Sequence, residues 1–213
     1  MHDTRHEFAG LESIYLPIAC VVFAVVTLLV AYAVIWRRRR APGQVGSQRK
    51  ENNPLELGYA AFLVAITAVL VAITFSTEDK TDAVAKQPGL EVTVTAGQWD
   101  WRFSYPAYGI TEQGTSTRPA QLTVPTGTIV HFTGTSTDVI HSFWIPERRF
   151  KRDVFPRNNT RFDLSWPKPG FSRGECAEFC GLLHANMDFV VDALAPADFQ
   201  AWVAAHRAHG AGG

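Results

Sequence analysis

The sequence predicts a mainly β domain carried behind a hairpin of two transmembrane helices. Three observations carry this reading. Ahead of Phe75 the chain holds two long runs without a charged residue, Ile14 to Trp36 and Leu57 to Phe75. Beyond Pro88-Gly89 the hydrophobic pattern changes to a period of two. Turn residues then separate short apolar segments at intervals that suit a sandwich or barrel. The expected divisions are a hairpin over 1–76, a linker over 77–89, a β domain over 90–195, and a C-terminal helix and tail over 196–213.

Met1 to Glu12 are polar and lack the basic, short-apolar, small-residue order of a cleavable signal. Ile14 to Trp36 is about 23 residues, enough for a helix to cross a hydrocarbon core of about 30 Å. Pro17 stands near the start of the run, where a helix tolerates it, and Trp36 stands where an aromatic belt belongs. Arg37-Arg38-Arg39-Arg40, followed by a polar loop from Ala41 to Asn53 with Arg49 and Lys50, belongs on the cytoplasmic side by the positive-inside rule. Leu57 to Phe75, about 19 residues, is again long enough to span. Glu78-Asp79-Lys80 ends it on the far side, so both chain ends lie outside. The alternative is the core hairpin of a soluble protein, which rarely needs two charge-free runs of this length.

Leu90-Glu91-Val92-Thr93-Val94-Thr95 and Gln121-Leu122-Thr123-Val124 alternate apolar and polar residues, as half-buried strands do. Ile129 to Phe132, Phe143 to Ile145, Arg161 to Trp166 and Met187 to Asp192 add further strands. Pro196 to Val203 fits a short helix with proline in its first turn, and the Gly-rich tail is expected to be disordered.

The formal net charge of zero removes any global electrostatic case for nucleic acid. Three cysteines, one of them Cys20 inside the first apolar run, are too few for a disulfide framework. The other two concentrate the chemistry: Cys176, Cys180, His184 and Met187 lie close together in one stretch. Thiolate, thioether and imidazole together point to copper, while zinc held by Cys and His, or a Cys176–Cys180 disulfide, remains open. A second imidazole must come from elsewhere, and His141 is the best placed. If both sulfurs point inward they can bridge two copper ions, with His141 and His184 as terminal nitrogens. Met187 and a backbone carbonyl would fill the weak positions. His131 reads as a satisfied strand residue, and His2, His6, His206 and His209 lie in the tails.

These residues closely resemble subunit II of the haem–copper cytochrome c oxidases, with its CuA centre. The family pattern Cys-x-Glu-x-Cys-Gly-x-x-His-x-x-Met is matched by Cys176, Glu178, Cys180, Gly181, His184 and Met187, and the upstream ligand motif by Asp138-Val139-Ile140-His141-Ser142. The resemblance covers nearly the whole chain. It implies a cupredoxin-like Greek-key barrel outside the cell (inner) membrane, with two copper ions in a dinuclear CuA centre. It further implies an electron-entry subunit of a terminal oxidase. Electrons would come from cytochrome c and pass to haem in subunit I, where oxygen is reduced to water. The implied partners are subunit I, other oxidase subunits, cytochrome c and membrane lipid. By the same resemblance Glu178 offers copper its carbonyl and a Mg ion its carboxylate at the subunit I interface. Trp99, in Gln98-Trp99-Asp100-Trp101, is the matching electron-entry residue, and Glu56 matches a carboxylate at a proton-channel mouth. Glu178 serves equally as a solvated carboxylate, Trp99 as packing and Glu56 as an interfacial anchor. Rival functions are the CuA subunit of a membrane nitric oxide reductase, a quinol-oxidase-type subunit II, and a copper-delivery protein.

The chain departs from the family pattern at Asp100, which replaces the middle aromatic, and at Pro156-Arg157-Asn158. Arg148, Arg149, Lys151 and Arg152 make an unusually basic run beside the metal loop, where relatives often present an acidic patch to a basic cytochrome c. No Cys-x-x-Cys-His occurs, so the sequence offers no site for covalent haem.

The charge bias yields a test. In sealed right-side-out vesicles the Arg-rich loop is expected to resist external protease, and cleavage there would invert the topology.

Overall fold

The computed structural model of the protein describes residues 4–39, 51–82, 84–115 and 117–210. Most of the Arg-rich loop and the end of the Gly-rich tail lie outside the described residues. Two compact units emerge, one of helices over Phe8–Asp79 and one that contains the β domain, Lys80–Gly213 with Met1–Glu7.

In the helical unit, α1 spans Thr4–Arg39 and α2 spans Asn53–Asp82. Their apolar side chains are exposed along the runs, including Phe23, Leu28, Leu57 and Val64. A soluble core hairpin would bury these faces, whereas exposure suits surroundings as apolar as the helices themselves. Glu7 in the first turn of α1 and Arg37, Arg38 and Arg39 in its last both complement the helix dipole. The Tyr15 hydroxyl donates to the Leu70 carbonyl at 2.9 Å and lies 2.5 Å from Thr74 Oγ1, which ties the two helices. At the start of α2 the Asn52 amide donates to Glu56 Oε1 at 3.3 Å, a local cap on the first turn. The far end of α2 corrects the expected linker, because the helix runs through Thr77 and ends at Asp82. Its polar end is still helical because Ser76 and Thr77 return their hydroxyls to the Ile73 carbonyl, and no Pro or Gly interrupts it before Pro88.

Ten strands build the β domain: β1 (Leu90–Gly97), β2 (Asp100–Tyr105), β3 (Ile110–Gln113), β4 (Ala120–Pro125), β5 (Ile129–Ser136), β6 (His141–Ile145), β7 (Phe150–Val154), β8 (Thr160–Ser165), β9 (Gly170–Cys176) and β10 (Asp188–Leu194). They form two five-stranded sheets, ordered β3-β2-β1-β5-β8 and β4-β10-β9-β6-β7. Within them β1 pairs with β5, and β4 with β10, in parallel; the other strand pairs are antiparallel. β2, β3, β7 and β9 were not among the segments expected from the sequence. Alternation sets the inward face: Leu90, Val92, Val94 and Ala96 of β1 are buried while Glu91 is exposed.

The two inner faces meet in an aromatic core. Phe143 of β6 is its centre, 4.7 Å between ring centroids from Phe189, 5.4 Å from Phe162, 5.8 Å from Phe132 and 5.9 Å from Trp101. Gly174 of β9 pairs with Phe189 of β10, and a Cβ at Gly174 would stand 2.1 Å from the Phe189 ring. The Tyr105 hydroxyl, fully buried, donates to the Thr123 carbonyl at 2.9 Å and accepts from the Thr123 amide at 2.8 Å, which joins the sheets at their other end. Helix α3 (Pro196–Gly210) covers this end with Phe199 and Val203 inward and Trp202 5.1 Å from Tyr105. His131 is satisfied on the sheet, 2.7 Å from Asp163 Oδ1, while the other Asp163 oxygen accepts the Ala85 amide at 2.6 Å.

Truncating the centre of this core should be costly. Phe143→Ala is expected to lower stability by about 3–5 kcal/mol in denaturant unfolding, from lost burial and the cavity left behind.

Candidate metal centre

The site is built where β9 ends and β10 begins. β9 and β10 pair from Gly170↔Ala193 to Glu175↔Asp188, and one further bond, from the Cys176 amide to the Met187 carbonyl at 3.0 Å, closes the loop between them. Within the loop the chain turns through a short 3₁₀ segment at His184–Asn186, and the Met187 amide returns to the His184 carbonyl. This folding turns Cys180, His184 and Met187 back toward Cys176. β6 enters from the side. Its Phe143 pairs with Cys176, and the Ala177 amide extends the ladder to the Ser142 carbonyl at 3.1 Å, which places buried His141 against the loop.

The side chains then meet in a ring of donors. Cys176 and Cys180, both buried and free, have sulfurs 3.9 Å apart. Nδ1 of His141 lies 3.8 Å from the Cys176 sulfur, and Nδ1 of His184 lies 3.5 Å from the Cys180 sulfur. Met187 Sδ is 3.7 Å from Cys180, and the Glu178 carbonyl is 3.3 Å from Cys176. His141, Cys176 and Cys180 present donor atoms all within 4.8 Å of one another. A sulfur pair 3.9 Å apart is too distant for a disulfide, whose S–S bond is about 2.05 Å. A metal–thiolate bond of about 2.3 Å lets one ion reach both sulfurs.

Asp138 orients the first imidazole. Its Oδ1 lies 2.8 Å from His141 Nε2, so with the proton on Nε2 the Nδ1 lone pair faces Cys176. Partial burial resists the charge on Asp138, but hydrogen bonds from His141 and from the Gln98 and Val139 amides hold its carboxyl below the usual range. Burial likewise opposes a charged His141, and the bonds to Cys176 and Asp138 outweigh it and raise its pKa. The thiols diverge. Cys176 overcomes burial through His141 and the main chain at Ser142 and Glu178, and is lowered to about 7. Burial and the neighbouring Cys176 charge push Cys180 up to about 12. With the sulfurs 3.9 Å apart, charge on one opposes charge on the other, and a cation beside them would favour both thiolates.

The other predicted residues separate by role. Trp99 stands against the loop, its indole N–H donated to the Cys180 carbonyl at 3.2 Å. Trp101, from the same stretch, is fully buried and donates to the Met187 carbonyl at 3.2 Å, with its ring 6.3 Å from that of His141. The Glu178 carboxylate is about half exposed and lies 3.9 Å from Lys151 Nζ. Glu56 belongs to the helical unit.

Much of the charge of the basic run is engaged within the protein. Arg148 is buried and donates to the Ser165 carbonyl at 2.6 Å, Arg152 pairs with Asp82, and Lys151 lies 3.3 Å from Asp153. Asp138 and Gln98 were overlooked as supports. A carboxylate three residues before a candidate His is a usable signal for the first, whereas the Gln98 contacts join distant parts of the chain.

A family model described as cytochrome c oxidase subunit II, periplasmic domain, matches residues 111–194. Among curated relatives, a cytochrome c oxidase subunit 2 of Mycobacterium bovis is 28% identical over an alignment covering 95% of this chain and 71% of the relative. A probable cytochrome c oxidase subunit 2 of Streptomyces avermitilis is 31% identical, covering 81% and 66% respectively. Among solved structures, the periplasmic domain of subunit II of cytochrome oxidase from Bradyrhizobium japonicum superposes with a TM-score of 0.54 at 24% identity, covering 59% of this chain and 99% of that one. The β domain shares that cupredoxin-like fold.

Proposed function

The chain belongs to the cytochrome c oxidase subunit II family, and from that premise we propose that it is the electron-entry subunit of a terminal oxidase, with a dinuclear copper centre held by His141, Cys176, Glu178, Cys180, His184 and Met187. The observation that carries this reading is the pairing of donors, one imidazole to each sulfur, with a carbonyl on the Cys176 side and a thioether on the Cys180 side. A single tetrahedral ion draws its thiolate and imidazole donors to within about 4.6 Å of one another. His141, Cys176 and Cys180 present donors within 4.8 Å of one another, while His184 stands outside that trio, 3.5 Å from the Cys180 sulfur. That distribution favours two ions over one zinc, and the full donor set argues against a quinol-oxidase-type subunit without metal.

When bound, a copper pair held by Cys176 and Cys180 would supply a one-electron carrier, and sharing the charge between two ions would keep reorganisation on reduction small. The residues supply everything around it. Cys176 and Cys180 provide the two negative charges, and Asp138 fixes the imidazole of His141. Trp99, partly buried at the loop, offers a path of one hydrogen bond to the Cys180 main chain. Cytochrome c is the donor in this reading, and haem in subunit I the acceptor. The half-exposed Glu178 carboxylate takes Mg at the seam with subunit I, and Glu56 marks a proton-channel entrance. The two apolar helices anchor the chain in the cell membrane, with the copper domain on the extracytoplasmic side.

Electron paramagnetic resonance tests the centre: two coppers per chain sharing one unpaired electron are expected, and hyperfine coupling to a single copper would refute the reading. For entry, Trp99→Phe should slow reduction by cytochrome c and leave copper content intact. Unchanged stopped-flow kinetics would remove Trp99 from the path.

A further inference from the structure

Three segments that are remote in sequence meet at the metal loop, and one residue joins them, by its main-chain amide on one side and its side chain on the other. The turn after β1 carries Gln98, the turn between β5 and β6 carries Asp138, and the loop after β9 carries Cys180. We propose that Gln98 is a positioning residue for the metal centre: it links the Asp138 carboxylate that orients His141 to the carbonyl of Cys180, and so sets the spacing between the two ligand-bearing loops. The proposal rests on the copper reading above.

The bonds run without a gap from one ligand to the other. His141 Nε2 lies 2.8 Å from Asp138 Oδ1; Asp138 Oδ2 accepts the Gln98 amide at 2.7 Å; and the Gln98 side-chain NH2 donates to the Cys180 carbonyl at 2.6 Å. Trp99 donates to the same carbonyl, so Gln98 also fixes the place where the indole meets the loop. Parallel pairing of β1 with β5 brings the first two turns side by side, and the Thr137 amide donates to the Ala96 carbonyl at 2.9 Å. Glycines permit the close approach on both sides. A Cβ at Gly97 would stand 2.8 Å from Thr137 Oγ1, and one at Gly181, whose φ is +122°, would stand 3.0 Å from the Gln98 nitrogen. The outward side chains Phe179 and Leu182 are 80% and 87% exposed, so they add little packing to hold the loop, and polar bonds carry more of that work.

The chemistry is specific to glutamine. A carboxylate of the same shape is an acceptor only and opposes the Cys180 carbonyl, and asparagine is one methylene shorter. Gln98→Glu therefore breaks the bond to the Cys180 carbonyl at constant volume, and Gln98→Ala removes it, while the main-chain bond to Asp138 stays available in both.

The test uses the full chain in detergent. Copper affinity is measured by competition with a chelator, and the hyperfine pattern by electron paramagnetic resonance. A metal-independent readout is the alkylation rate of Cys176 and Cys180 after chelator stripping, in a Cys20→Ser background. Both Gln98 variants are expected to lose about 10–100-fold in copper affinity, the usual effect of removing a support behind metal ligands, and to alter the hyperfine pattern. Alkylation should quicken about tenfold. Gln121→Ala, which removes an amide bonded to Asp192 at 3.2 Å on edge strand β4, should match the wild type in all three. Gln98 variants with wild-type affinity, spectrum and alkylation overturn the link. A wild-type chain that lacks the two-copper signature overturns the preceding reading instead, and the alkylation rates still decide the role of Gln98.

Discussion

The bond from the Cys176 amide to the Met187 carbonyl is the constraint on which the site depends. It makes the segment between β9 and β10 a closed loop rather than an extended excursion, so residues separated along the chain face one another across a few ångströms. Trp101 reinforces it by donating to the same carbonyl. The aromatic core lies directly beneath: Trp101 touches Phe143, and Phe143 pairs with Cys176 across the β6–β9 ladder. The loop is short and mostly irregular, but its two ends are fixed by a dry, close-packed interior, which preserves the geometry that a coordination site demands.

Electrostatics around the loop follow the same economy. Asp138 accepts from His141, from the Gln98 and Val139 amides and from the Ser136 hydroxyl, and its charge is dispersed over these donors. The cations near the site are drawn into local pairs as well, Arg152 with Asp82, and Lys151 with Asp153 and Glu178. Part of the basic run is thus paired within the protein, Arg152 with Asp82 far along the chain and Lys151 with Asp153 on its own strand.

The helices were legible because a charge-free run of spanning length has few other uses, and the polar extension of α2 was not, since nothing in Thr77 to Asp82 marks a stop or requires a helix. Strands with clean alternation, such as Leu90 to Gly97, were legible too. β2 alternates equally well, but its Trp101 was read together with Trp99 as part of an electron-entry stretch, and only Trp99, just outside the strand, stands at the loop. β7 was read as charge, and β9 hides behind Gly170, Gly174 and a mostly polar composition. The ligands themselves were visible because five of the six fall within one short loop of distinctive chemistry. The support at Gln98 was not, since it arises from the parallel β1–β5 pairing and from two glycines that leave room, neither of which a local pattern encodes.

Gly174 and Phe189 show how far the site reaches into the fold. The ring occupies the volume where any side chain at 174 would stand, and it also stacks on Phe143. The two positions lie two residues from Cys176 and from Met187 respectively, so displacement of the ring acts on both ends of the loop at once. They therefore form a single unit of variation: a larger residue at 174 is compatible with the centre only alongside a smaller one at 189. Across related sequences, covariation of this pair would trace the shape of the metal loop more faithfully than either position alone.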